Sequence, residues 1–96
     1  MLSKADKKLL RKNAQALRPI VQVGKDGIGE NMIRSLNNAL EARELVKCTL
    51  LKTSPVGSRE AAIECAGRTH SEIIQIIGHT FVLYRRSDKN IMGLKK

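Results

Sequence analysis

Two hydrophobic periods alternate along this chain, and their order limits the folds open to it. Leu9, Leu10, Ala14 and Leu17 recur at helical spacing, while Lys4, Lys8, Arg11 and Lys12 share another face. Ser3 and Asp6 have the spacing of a capping box with Asp in place of Glu, which predicts a helix from about residue 4 to 16. Arg18-Pro19 ends it, because a residue before proline is pushed out of the α region. Ile20-Val21-Gln22-Val23 is a short β-branched strand, and Gly24-Lys25-Asp26-Gly27 is a turn. A second helix is expected over 28–43, with Gly29 as N-cap and Ile28 and Ile33 as a hydrophobic staple. Its core stripe is Ile33, Leu36 and Leu40.

Residues 45–52 alternate, with Val46, Cys48 and Leu50 on one face, as in a half-buried strand. After a loop over 53–57, Ser58 is expected to cap a helix running through Ala66, with Gly67 near its C-terminus. Residues 72–77 are nearly all apolar, which predicts a central strand covered on both faces. Gly78-His79 turns the chain into a last strand over 80–85. The order α-β-α-β-α-β-β predicts an α/β fold. One compact domain would hold four strands in a mixed sheet with helices packed on it, and the last two strands must be antiparallel.

With 96 residues the chain has material for one core, so residues 1–96 are read as a single domain. A 42% hydrophobic share is too high for a disordered polycation. No apolar run approaches the ~18 residues of a membrane span, and residues 1–20 lack the apolar core of a secretory signal. Two cysteines make no disulfide framework. A cytoplasmic monomer that needs no cofactor, metal or membrane is expected.

The net charge of +9 is unevenly spread. Residues 1–28 hold seven basic and two acidic groups, residues 29–83 six of each, and residues 84–96 five and one. A neutral middle with basic ends suggests a polyanion partner, chiefly nucleic acid. Residues 87–96 are expected to be a flexible basic tail.

The segment that carries chemistry runs from Val21 to Asn31: strand, Gly-x-x-Gly loop, helix start. Glycines let backbone N–H groups approach a ligand, and a helix start adds unpaired N–H groups and partial positive charge. Lys25 at the tip adds a mobile ammonium. KH domains clamp a nucleic-acid backbone with such a loop. Alone, the pattern also fits a plain tight turn, and Asp26 opposes an anion. The upstream helix with Lys4, Lys7, Lys8, Arg11 and Lys12, together with Arg34 downstream, favours the phosphate reading.

Other motifs are excluded. No Lys-Ser or Lys-Thr follows the second glycine, so there is no P-loop, and the glycine spacing does not fit a dinucleotide fingerprint. Phe81 and Tyr84 are the only aromatics, too few for a base-stacking platform. Backbone and shape recognition is expected instead. Cys48, Cys65, His70 and His79 match no common zinc spacing, and the cysteines fall on apolar faces. No carboxylate pair demands acid–base chemistry.

The runs 17–27, 36–47 and 82–85, with Gln75-Ile76-Ile77-Gly78, resemble the YhbY-type, or CRM-domain, family over about residues 3–86. The resemblance implies an RNA-binding domain similar to the C-terminal domain of translation initiation factor three. It implies the role of stand-alone bacterial members in large-ribosomal-subunit assembly. The family's RNA-contacting loop maps onto Gly24, Lys25, Asp26 and Gly27, and its basic surface onto the first helix and Arg34. Gly29 departs from the family, which commonly carries a small hydroxyl residue there. Arg85 and Arg86 extend the expected basic surface. The alternatives are a stoichiometric ribosomal protein and a small phosphate-processing enzyme.

Overall fold

The Ser3 hydroxyl accepts from the Asp6 N–H at 3.0 Å and the Asp6 carboxylate accepts from the Ser3 N–H at 3.2 Å. The first helix therefore starts on its capping box. The computed structural model describes residues 2–88. Its elements are α1 (Lys4–Ala14), β1 (Val21–Val23), α2 (Glu30–Arg43), β2 (Leu45–Leu50), α3 (Ser58–Thr69), β3 (Glu72–Ile77) and β4 (Thr80–Tyr84). The predicted α-β-α-β-α-β-β order and single mixed sheet are both present.

The strands lie in the order β1-β2-β4-β3. β1 and β2 are parallel, with Val21 opposite Cys48 and Val23 opposite Leu50. β4 is antiparallel to both neighbours, pairing Phe81 with Cys48 on one side and with Ile76 on the other. Alternation then sorts the side chains by face. Val21, Val23, Val46, Cys48, Leu50, Phe81 and Leu83 form one core with Ile33, Leu36 and Leu40 of α2 and Ala61, Ala62 and Cys65 of α3. Leu45, Ile74, Val82 and Tyr84 form a second core with Leu10 and Ala14 of α1. Two helices cover one face, and α1 lies on the other.

Three expectations are corrected. β3 is an edge strand, not the central one. β4 sits between β2 and β3 and is buried on both faces, while Ile76 and Ile77 at the end of β3 stay exposed. Both strands are apolar on both faces in sequence, and the hairpin's docking register alone decides which lies inside. The third helix also does not stop near Gly67. Ala61, Ala62, Cys65 and Thr69 continue its buried stripe, and exposed Gly67 lies on the outer side, where a missing side chain leaves no gap in the core. His70 ends the helix in the left-handed conformation, φ 54°, and its N–H donates to the Ala66 carbonyl. Ser58 is the first helical residue rather than the cap. Gly57 is the N-cap, and the Ser58 hydroxyl donates to the Gly78 carbonyl at 2.6 Å.

At the C-terminal end a polar cluster joins β4 to α2. Glu44 is fully buried with φ 66°, and its N–H donates to Leu40 O at 2.8 Å. Its carboxylate accepts from the Ser87 N–H at 2.6 Å and the Ser87 hydroxyl at 2.9 Å. Arg85 donates to Asn37 Oδ1 and Thr69 O, both at 2.8 Å, and to Asn37 O at 3.2 Å, with Glu41 at 3.5 Å. Ser87, first residue of the expected flexible tail, is therefore buried and held. The rest of that tail beyond Asp88 lies outside the described residues.

Candidate nucleic-acid interface

The Gly27 N–H donates to the Gly24 carbonyl at 3.0 Å, closing a four-residue turn with Lys25 and Asp26 exposed at its tip. Gly27 has φ +69°, and a Cβ there would come within 3.3 Å of Pro55 Cγ. Both facts favour glycine there. The Leu51 N–H donates to the Val23 carbonyl at 2.9 Å and so lays the β2–α3 loop beside the turn. Arg68 of α3 donates to the Ile28 carbonyl at 3.4 Å and ties the loop's exit to the third helix.

The turn, the start of α2 and the β2–α3 loop enclose a groove of about 620 Å³. Gly24, Lys25, Asp26 and Gly27 form one wall, and Leu51 and Thr53 the other. Leu51, Thr53 and Pro55 were not singled out in the sequence, since only the parallel pairing brings them here. Gly29 caps α2 with no side-chain hydrogen bond. The first N–H groups of the helix, at the groove's floor, thus have neither an intrahelical acceptor nor a side-chain cap. Lys25 is the one cation in the lining, against Asp26 and Glu30, so the groove's side chains sum to −1. Attraction of an anion here rests on backbone N–H groups and the α2 dipole, with Lys25 offsetting one carboxylate.

The other candidates do not converge on this groove. Arg34 is exposed further along α2 and is not in the lining. Lys4, Lys8, Arg11 and Lys12 are exposed and Lys7 is half-buried on α1, across the sheet from α2. Arg85, expected on the basic surface, is turned inward onto Asn37, Thr69 and Glu41, so the fold already engages its guanidinium. Arg86 is exposed near Tyr84. Burial, and after it the Glu44 carboxylate, raise the Tyr84 pKa, and Arg86 opposes them.

Burial pushes the Cys48 thiol up to about 12 and the Cys65 thiol up to about 11. Both stay protonated near neutral pH and are poor nucleophiles and poor metal ligands. Among the described residues no three His, Cys, Asp or Glu side chains cluster to hold a metal, and no helix is long and apolar enough to cross a membrane.

The family model of the CRS1 / YhbY (CRM) domain matches residues 2–85. The chain is 41% identical to the "Probable RNA-binding protein YqeI" of Bacillus subtilis, covering 94% of each. It is 31% identical to a protein of Haemophilus influenzae named "RNA-binding protein", covering 92% of this chain and 89% of that one. The solution structure of the hypothetical protein SAV1595 from Staphylococcus aureus superposes with a TM-score of 0.79 at 41% identity, covering 94% of each chain.

Proposed function

Since the chain belongs to the CRS1 / YhbY (CRM) domain family, we propose that it is a non-catalytic RNA-binding protein whose Gly24–Gly27 turn and α2 start hold the backbone of structured ribosomal RNA. Its cellular role on this reading is assembly of the large ribosomal subunit. The observation that carries the reading is the groove at the head of α2. There a positive-φ glycine turn meets helix N–H groups that no side chain caps. A phosphate oxygen accepts from several N–H groups at once in such a place. The names of the relatives supply the class of polymer. Burial holds both thiols in the protonated form, so neither offers a thiolate to phosphate-processing chemistry.

The test is titration of in-vitro-transcribed large-subunit ribosomal RNA at several salt concentrations. Log affinity should fall linearly with log salt, and Lys25→Ala with Arg34→Ala should flatten that slope by roughly 0.7–0.9 for each phosphate no longer neutralised. An unchanged slope and affinity in a folded double variant would remove both side chains from the interface, and unchanged affinity in folded Gly27→Ala as well would overturn the site. Sucrose-gradient fractionation tests the role. An assembly factor rides on precursor particles and leaves mature ribosomes, whereas stoichiometric retention would make it a ribosomal protein.

A further inference from the structure

A second groove lies at the other end of β1 and β2. The Ile20 N–H donates to the Lys47 carbonyl at 3.0 Å, which lays the Arg18-Pro19 corner against β2. Arg43 closes the last turn of α2 just before β2 begins. Arg18, Arg43 and Lys47 consequently line one cavity of about 390 Å³, walled by the apolar side chains of Leu17, Ile20 and Leu45. No carboxylate lines it. Among the described residues none of the three cations has an ion-pair partner. Nearby Glu44 spends its carboxylate on Ser87.

A cation at a helix C-terminus is stabilised by the dipole, which accounts for Arg43 alone. It does not account for three cations from three segments lining one concave surface with no carboxylate among them. The lining sums to +3, against −1 at the loop groove. The last turn of α1 carries Arg11 and Lys12 and runs on into this groove through Ala16 and Leu17.

We propose that the Arg18–Arg43–Lys47 groove is a second anion site, which takes phosphodiester groups of the same RNA whose backbone the loop holds. This rests on the RNA-binding reading above and adds a second place of contact. Guanidinium forks suit phosphate oxygens, and the apolar wall suits a ribose or the face of a base. Lys47 on β2 and Leu51 just past its end, one in each groove, are four residues apart along extended chain, about 13 Å. A single phosphate cannot reach both, but a folded polyanion can.

The test compares Arg18→Gln/Arg43→Gln/Lys47→Gln with Lys25→Ala, titrating a hairpin RNA transcript over a salt series in the full chain. The triple variant should lower the log–log salt slope by about 2–3, since each phosphate contact carries roughly 0.7–0.9. Its effect should add to that of Lys25→Ala. A flattened slope in Lys25→Ala but not in the triple variant overturns the second site and keeps the loop. The reverse overturns the loop and keeps this groove. No change in either overturns both. If the triple variant fails to fold, acetylation of Lys47 in the wild-type chain decides. Bound RNA should protect it. Protection by polyglutamate and not by RNA would make the groove a surface for an acidic protein segment and overturn the proposal.

Discussion

Lys25 and Arg85, two cations at opposite ends of the sheet, are treated by the fold in opposite ways. At the loop end, Lys25 stands exposed on a glycine turn, and the fold makes little use of its charge. At the opposite end, Arg85 spends its guanidinium on Asn37, Thr69 and Glu41, and buried Glu44 holds Ser87. In sequence Lys25 and Arg85 look alike, as cations next to a strand. The difference is the acceptors around each. A half-buried guanidinium must be met by carbonyls and carboxylates or its desolvation is uncompensated. Once met, it belongs to the fold rather than to a ligand.

Removing the carboxylate at the knitted end should have the largest effect. Glu44→Ala leaves the Ser87 N–H and hydroxyl without their acceptor, and should cost about 3 kcal/mol by denaturant unfolding. A loss within experimental error would break the contrast. Arg85→Ala comes next, at about 2 kcal/mol, with the salt slope of RNA binding kept. A stable Arg85→Ala protein with a flattened slope would return Arg85 to the interface. Gly27→Ala should cost about 1 kcal/mol, because a positive φ and the Pro55 contact both resist a Cβ, and it should weaken RNA binding beyond its stability loss. Smallest in stability is Lys25→Ala, within about 0.5 kcal/mol, with its effect confined to RNA affinity.

Much of the fold was legible. The capping box at Ser3 and Asp6, the Gly29 cap and the Gly24–Gly27 turn are local devices, so neighbouring residues specify them. The loop groove was half legible. Its glycines and Lys25 are close in sequence, but Leu51 and Thr53 reach it only through the β1–β2 pairing. Arg18, Arg43 and Lys47 were not singled out at all, because 25 positions separate the first two and no periodicity links them.

The sequence by itself determined which segments are helix and strand, that the chain makes one α/β domain, and where a glycine turn meets a helix start. These follow from hydrophobic period, caps and turn chemistry, which act over a few residues. Only the tertiary structure decided that β4 lies inside and β3 at the edge. Only it placed the α1 cations and the loop on different faces of the sheet, and turned Arg85 inward. Each depends on strand register and on which polar acceptors burial brings within reach. Those are set by contacts between residues far apart in the chain, and no local pattern records them.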